Sequence, residues 1–453
     1  MSQGKRIPAF KEEKCDLCGK CFHLCPVLKL PLKAAQEEIK RLIDGRESKY
    51  VLSKCNTCFS CNLYCPQRAN PYQLILERWN DLYKKRGAPP LYRFICPTET
   101  PNIWQLLNIF LSPREKQWIS QWMHNVPKPN DTILLIGNFT HLFPFIIGGS
   151  KLLKYFKPID RLDEWEGGAT LYQGGYLDIV QKIAEICKRD FEKWGVKTVV
   201  PLLDAVEYLF VEVHPKEMGI KHSQTFLNFN QWLLDKIDSG EIELTDQLDL
   251  TVTIHDNCYS KALGTSYWEP PRALLKRCGC EIVEMDHIKK DSLCCGFGAG
   301  ASWEKNMSLP FDIISEGMKK FKEAEKTGAT ALVTYCTGCL YLLWATRELS
   351  GSRIDVYHHV ELVRLAMGEN LNYPLDHIKR AWDVIAIITY QLMVSLLQKN
   401  FFIRKLQLDE RLSTFKPKKH RLLRMIRYIM EISLVRKIYA KIFRLFTPIM
   451  KKH

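Results

Sequence analysis

A chain of 453 residues with 46% hydrophobic and 25% charged residues can bury several cores, which excludes a disordered segment or a single small module. Its 17 cysteines come without the apolar stretch of a secretory signal in Met1–Phe10, so metal or redox use inside the cell is expected rather than a secreted disulfide scaffold. Residues 411–453 hold 13 Lys or Arg against one acid, Glu431, which localises most of the formal +15 charge and leaves no spread of basic residues for nucleic acid to read.

Near the N-terminus stands Cys15-x2-Cys18-x2-Cys21-x3-Cys25-Pro26, and it recurs as Cys55-x2-Cys58-x2-Cys61-x3-Cys65-Pro66. This is the run of bacterial two-cluster ferredoxins, in which three cysteines of one run and the fourth of the other hold each 4Fe–4S cluster. The expected sets are Cys15, Cys18, Cys21 with Cys65, and Cys55, Cys58, Cys61 with Cys25. A zinc ribbon would need only two CxxC pairs and no trailing proline. Leu32–Leu42 and Pro71–Lys85 carry helical patterns, so residues 1–90 read as an α-helical ferredoxin domain with two 4Fe–4S cubanes, closed by Gly87, Pro89 and Pro90. Residues 91–130 form a connector with two short helices between Asn102 and Val126. Its Trp104, Trp118 and Trp122 suit packing, with contact to a membrane subunit as the alternative.

A strand–helix alternation begins at Thr132. Ile133–Ile136 reads as a buried strand, Tyr176–Trp194 as an amphipathic helix stopped by Gly195, and Thr198–Val200 as the next strand. The same grammar returns in Leu250–Ile254, in Glu281–Met285, and in a helix through Phe311, Ile314, Met318 and Phe321. Gly328 stops that helix before the strand Ala331–Thr334. Such alternation implies α/β layers with parallel strands over 131–240 and again over 241–368.

The second half carries five cysteines: Cys258, Cys294-Cys295-Gly296, and Cys336-x2-Cys339. Cys258 and Cys336 fall just past predicted strands, where open α/β sheets place ligands. Adjacent cysteines are awkward for tetrahedral zinc. A vicinal disulfide or a chance buried pair is the plain alternative to an iron–sulfur centre of unusual nuclearity. A shift of 133 residues lays Gly195 on Gly328, Val200 on Val333 and Tyr208 on Tyr341, with Leu203 and Val206 where Cys336 and Cys339 stand. Asn138 takes the place of Cys258, and Glu166-Gly167-Gly168 that of Cys294-Cys295-Gly296. The first half is thus a degenerate repeat without thiolates, expected to be a packing partner or lid.

The five-cysteine pattern resembles the cysteine-rich CCG domain of heterodisulfide reductase catalytic subunits, with Val252-Thr253-Ile254-His255-Asp256 before the first cysteine and Pro271-Arg272-Ala273-Leu274-Leu275 after it. The ferredoxin pair followed by two such halves is similar to fused heterodisulfide reductase-type subunits. It is also similar to the iron–sulfur subunit of anaerobic glycerol-3-phosphate dehydrogenase. The resemblance spans roughly residues 10 to 365 and implies that Cys258, Cys294, Cys295, Cys336 and Cys339 hold a non-cubane 4Fe–4S centre. Heterodisulfide reductase uses two facing centres, whereas this chain has one complete set. The substrate therefore does not carry over with the fold.

Several residues stand beside these motifs. His255 and Asp256 are expected either to hydrogen-bond the cluster or to serve local structure. His358-His359 reads as a proton donor or as a capping, buried pair. Gly296, Gly298 and Gly300 fail the G-x-G-x-x-G pattern, and close approach of backbone to a cluster accounts for them. Cys187 sits on an apolar helix face; Cys96, Cys278 and Cys280 have no assigned place. In the tail, 369–453, the uncharged run Val384–Gln398 is short for a membrane span. Arg421–Arg444 alternates basic and apolar residues like an amphipathic helix on an anionic membrane surface, with docking on an acidic partner subunit as the alternative.

The expected protein is an oxidoreductase subunit, cytoplasmic and peripheral to the inner face of the cell membrane. It passes electrons between a membrane quinone or cytochrome partner and a thiol/disulfide substrate. The alternative is a non-catalytic, membrane-anchoring relay from a flavin dehydrogenase (glycerol-3-phosphate, lactate or similar) to quinone.

Overall fold

The computed structural model describes residues 6–159, 167–298, 309–371, 375–404 and 420–450. Glu166, Gly300 and the tail residues 405–419 and 451–453 lie outside the described residues.

In the N-terminal region, helix Leu32–Ile43 buries Ala35, Ile39 and Leu42, which recur at helical spacing on one face. From that same helix the buried Glu38 carboxylate accepts the Ser48 hydroxyl and the N–H groups of Lys49, Tyr50 and Val51. The helix between the cysteine runs thereby anchors the start of the second. Helix Pro71–Arg86 begins with proline at its first turn and buries Tyr72, Leu76, Trp79 and Asn80. Gly175, at φ +77°, is pressed so close to it that a Cβ would lie 2.8 Å from the Leu76 carbonyl.

Two parallel four-stranded sheets follow. The first joins β1 (Thr132–Leu135), β2 (Lys157–Ile159), β3 (Thr198–Pro201) and β4 (Thr225–Phe226) in the order β2-β1-β3-β4. The second joins β5 (Thr251–His255), β6 (Glu281–Ile282), β7 (Ala331–Thr334) and β8 (Asp355–His358) in the equivalent order β6-β5-β7-β8. The central pairs have apolar cores, with Ile254 opposite Val333 and Leu134 opposite Val200. Sequence periodicity passed over β2 and β4. Each is an edge strand of two or three residues, and β2 contains Pro158, which is tolerated there because an edge leaves N–H positions unpaired.

The connector helices Ile103–Asn108 and Pro113–His124 are each closed by a capping box, Asn102 with Gln105 and Ser112 with Glu115. Trp104 and Trp122 are buried, and Trp104 Nε1 donates to the Asn138 carbonyl at 2.8 Å, so this segment packs against the turn after β1. Where the N-terminal region and both sheet halves meet, Phe59 stacks on Tyr72 (4.0 Å) and contacts Tyr208 and Tyr259 (5.4 Å each).

Helix Leu375–Ser395 contains the apolar run read from the tail, but Val384, Ile385, Ala386 and Ile387 are buried against the body, chiefly helix Thr337–Ser350. No helix of the described residues is long and apolar enough to cross a membrane. The basic stretch forms two helices, Arg421–Ile429 and Ser433–Met450, rather than one. Their inner face docks on this same chain: Arg427 pairs with Asp383 at 2.9 Å, Phe443 stacks on Phe311, and Arg444 donates to the Ser350 carbonyl.

Candidate metal centre

The two cysteine runs fold by the same local device. Leu17 and Thr57, 40 residues apart, occupy the left-handed region, as do Gly19 and Phe59 two positions later. Three of these four are not glycine, so the loops carry a conformational cost of about 1–2 kcal/mol each. The turns aim backbone N–H groups at sulfur: Thr57 N–H meets Cys55 Sγ at 3.4 Å, and Leu28 and Ala69 do the same for Cys25 and Cys65. Burial pushes the thiols of Cys15, Cys18 and Cys21 up, and in each case Cys65 adds to the effect. Burial likewise pushes Cys25 up to about 12, with Cys58 adding. Cys65 therefore lies near the first three cysteines of the other run, and Cys25 near Cys58 and Cys61.

The second set is built at the carboxyl ends of β5 and β7. Cys258 opens helix Cys258–Leu263 behind the N-cap Asn257, whose Oδ1 accepts Ser260 N–H at 2.9 Å. Cys336 is itself the N-cap of helix Thr337–Ser350, which places Cys339 in its first turn. Together with Cys294 and Cys295 they line one cavity, and Cys58 of the second ferredoxin run lines it too. The sulfurs of Cys295 and Cys339 and a ring nitrogen of His255 lie within 4.8 Å of one another. Hydrogen bonds from Cys294 and Cys339 hold the Cys295 thiol well below its ordinary value, and His255 assists. Cys294 and Cys339, the donors, are correspondingly pushed up, while burial raises Cys258. Buried His255 has no hydrogen-bond partner beyond the Cys295 thiol. Crowded thiols sharing protons, with an imidazole aimed among them and no disulfide, have the donor chemistry of a thiolate-bound cluster.

The neighbours separate structural from site roles. Asp256 also lines the cysteine cavity, but its carboxylate is held in a bidentate pair with Arg272 (2.8 and 2.9 Å) and accepts Tyr335 Oη at 2.7 Å and Lys289 N–H at 2.6 Å. Of the two residues expected beside the cysteines, His255 brings a ring nitrogen among the sulfurs and Asp256 braces the sheet end. Gly296 and Gly298 are needed for close approach, but to protein: a Cβ would meet the Ile313 carbonyl at 2.2 Å and the Asn56 carbonyl at 1.9 Å. The second contact seats the Cys-Cys-Gly loop on the second ferredoxin run. His358 and His359 are buried at the end of β8 and do not line the cysteine cavity; the His358 N–H is capped by Glu361. Cys96, Cys187, Cys278 and Cys280 are all core residues outside that cavity.

Sequence reasoning missed the opposite wall. Phe139, Ala169, Gln173 and Leu203 of the first half line the cysteine cavity, and Gln173 Nε2 reaches Cys258 Sγ at 3.7 Å. Leu203 is the N-cap of helix Asp204–Tyr208 after β3, as Cys336 is after β7. Asn138 opens a helix after β1, as Cys258 does after β5. Also missed was Lys261, whose buried ammonium donates to Ser60 Oγ and the Ser292 carbonyl, both at 2.9 Å, between the ferredoxin run and the five cysteines. A lysine three residues after Cys258 was the available signal, but surface lysines are too common for it to stand out.

Comparison with known proteins agrees with these two parts. A 4Fe-4S dicluster domain family matches residues 7–66, and a cysteine-rich (CCG) domain family matches residues 252–343. The chain is 24% identical over 401 residues to a dihydromethanophenazine:CoB–CoM heterodisulfide reductase subunit of Methanosarcina acetivorans, covering 79% of this chain and 94% of that protein. It is 25% identical over 384 residues to a fumarate reductase (CoM/CoB) subunit of Methanothermobacter marburgensis, covering 79% and 72%. To a probable membrane-anchored ferredoxin of Chromohalobacter salexigens it is 36% identical over 356 residues, covering 64% and 50%. This chain thus carries a 4Fe-4S dicluster domain and a CCG domain and is similar to iron–sulfur subunits of heterodisulfide reductase-like oxidoreductases.

Proposed function

We propose that this chain is the electron-carrying subunit of a membrane-associated redox complex. Cys15, Cys18, Cys21 and Cys65 hold one 4Fe–4S cubane, and Cys55, Cys58, Cys61 and Cys25 hold the other. Cys258, Cys294, Cys295, Cys336 and Cys339 hold a third, non-cubane centre, over which the first sheet half lies as a lid without ligands of its own. Bound clusters supply one-electron chemistry; the protein supplies thiolates, backbone N–H groups and a closed apolar wall. The observation that carries this reading is Cys58, a ferredoxin cysteine in the same cavity as the five-cysteine set. It supports a second cubane next to the third centre, and the half-buried Cys15, Cys18 and Cys65 support a first cubane nearer the surface, within reach of a redox partner. Iron and sulfide analysis of the anaerobically purified chain tests it. About 12 Fe per chain is expected, falling by about four in Cys295→Ser; about 8 Fe in the unsubstituted protein removes the third centre.

Two readings of the exchange at that centre remain distinct. Similarity to a heterodisulfide reductase subunit supports a thiol/disulfide substrate, for which a thiol-induced EPR signal lost in Cys295→Ser is the test. A relay to a lipophilic carrier is favoured by a specific feature, a cavity with no charged side chain among the described residues that shares a wall with the cysteines. The outer faces of the two tail helices, apolar and basic, support attachment to an anionic membrane surface in either case.

A further inference from the structure

Beside the cysteine cavity lies a second cavity of about 830 Å³, mouth included. Phe139, Phe297 and Gln173 belong to the walls of both. At its other end Leu91, Phe94 and Gln391 are shared with a third groove along helix Leu375–Ser395. The three hollows therefore lie in a row, separated by shared side chains, from the sulfurs to the end of that helix. There Ile388 and Leu392 are half-buried in the lining, and Met393, Leu396 and Leu397 beyond them are exposed, Leu397 at 91%. The same helix packs on the tail, through a Thr389–Tyr439 hydroxyl hydrogen bond of 2.8 Å.

The lining decides the class of occupant. Among the described residues it contains no Lys, Arg, His, Asp or Glu. Charged thiol cofactors, nucleotides and carboxylic acids would enter without a counterion, at a large desolvation cost. Aromatic and branched aliphatic walls suit a flat, neutral ring with a hydrocarbon tail. The Tyr92 hydroxyl is already committed to the Thr170 carbonyl at 3.3 Å. The two glutamine amides stand at opposite ends, Gln173 toward the sulfurs and Gln391 toward the mouth, and both can donate to carbonyl oxygens.

We infer that this cavity binds the ring of a lipophilic quinone, with the isoprenoid-type tail leaving along Leu392 toward the exposed apolar end of the helix. The inference rests on the relay reading above and names its ligand and site. It is tested by binding, on the full chain with its clusters in place. The probe is the fluorescent quinolone 2-heptyl-4-hydroxyquinoline N-oxide, followed by displacement with decylubiquinone. One saturable site is expected. Ile388→Trp and Leu392→Trp, which fill the cavity from half-buried positions, each weaken it at least tenfold, and the tail variant Leu434→Ser leaves it unchanged. Melting temperatures within a few degrees of the parent show that the tryptophan variants fold. No saturable binding, or binding undiminished in both folded tryptophan variants, overturns the site. So does displacement of the probe by a dialkyl disulfide but not by decylubiquinone. Quinol formation by the chain with its dehydrogenase partner separates the two ideas. Binding lost in the tryptophan variants with no quinone reduction keeps the site and removes the relay. Quinone reduction untouched by those variants keeps the relay and removes the site.

Discussion

Arg272 shows how a motif residue can be indispensable without touching the chemistry. Its guanidinium is buried, pairs with Asp256 through both oxygens, and also holds Glu284 at 2.7 Å. Removing it strands a buried carboxylate at the end of β5, just before the first cysteine of the five. Arg272→Leu is expected to cost about 3–5 kcal/mol, read as a fall in melting temperature; a change within about 1 kcal/mol would dismiss the bracing role. Burial alone would raise Asp256, but hydrogen bonds and charge from Arg272 outweigh it and hold the carboxyl below its usual range. The stability it contributes is therefore complete above the unfolded carboxylate range near about pH 4 and is lost as pH falls through the lower folded value. In the Arg272→Leu variant burial raises the carboxyl instead, so that this acid-side loss should disappear and part of the lost stability should return as pH falls and the stranded carboxylate takes up a proton.

At the scale of elements, the tail helices are unusual in having apolar residues on two faces. Leu423, Met430 and Ala440 are buried against the body, whereas Leu434, Leu445 and Ile449 are 62–75% exposed among Arg and Lys. A soluble surface helix needs only the first of these faces. Apolar side chains entering the headgroup region contribute about 1.5–3 kcal/mol each at most, and basic residues add attraction that salt screens. The double variant Leu445→Ser/Ile449→Ser should lose at least tenfold in sedimentation with phosphatidylglycerol vesicles while melting as the parent does. Equal sedimentation would move the membrane contact elsewhere.

For the whole molecule the telling feature is the seam between the ferredoxin region and the second sheet. Lys261 is buried there with two neutral acceptors, and its charge bears on both Cys25 and Cys258. A buried ammonium without a carboxylate partner is sustained only by other negative charge, which thiolates of two cluster sites would provide. Lys261→Met should remove that stabilisation of the reduced state, so both adjacent centres titrate at lower potential by EPR-monitored redox titration. The Ser292 carbonyl, left without its donor while Ser60 Oγ keeps Cys58, should cost about 1–3 kcal/mol in stability. Unmoved potentials would reduce Lys261 to a strut.

Whatever is written in local spacing could be read before any coordinates. The two cysteine runs, the five thiols after parallel strands, the helices ended by Gly195 and Gly328, and the 133-residue repeat all follow from short-range pattern, because thiolate ligation and helix or strand burial impose fixed intervals. Contacts between residues far apart in the chain belong to the tertiary structure alone. It turned Phe139, Gln173 and Leu203 of the first half, which lacks the five-cysteine set, into the wall facing the cysteines, set Gly298 against Asn56 and gave Lys261 its place between the second cysteine run and the five cysteines. It also placed the start of the tail's apolar run, Val384–Ile387, inside the body while leaving Met393, Leu396 and Leu397 exposed, and it made β2 and β4 edge fragments. No local interval encodes such contacts, since a residue's periodicity reports which face is buried and not what buries it.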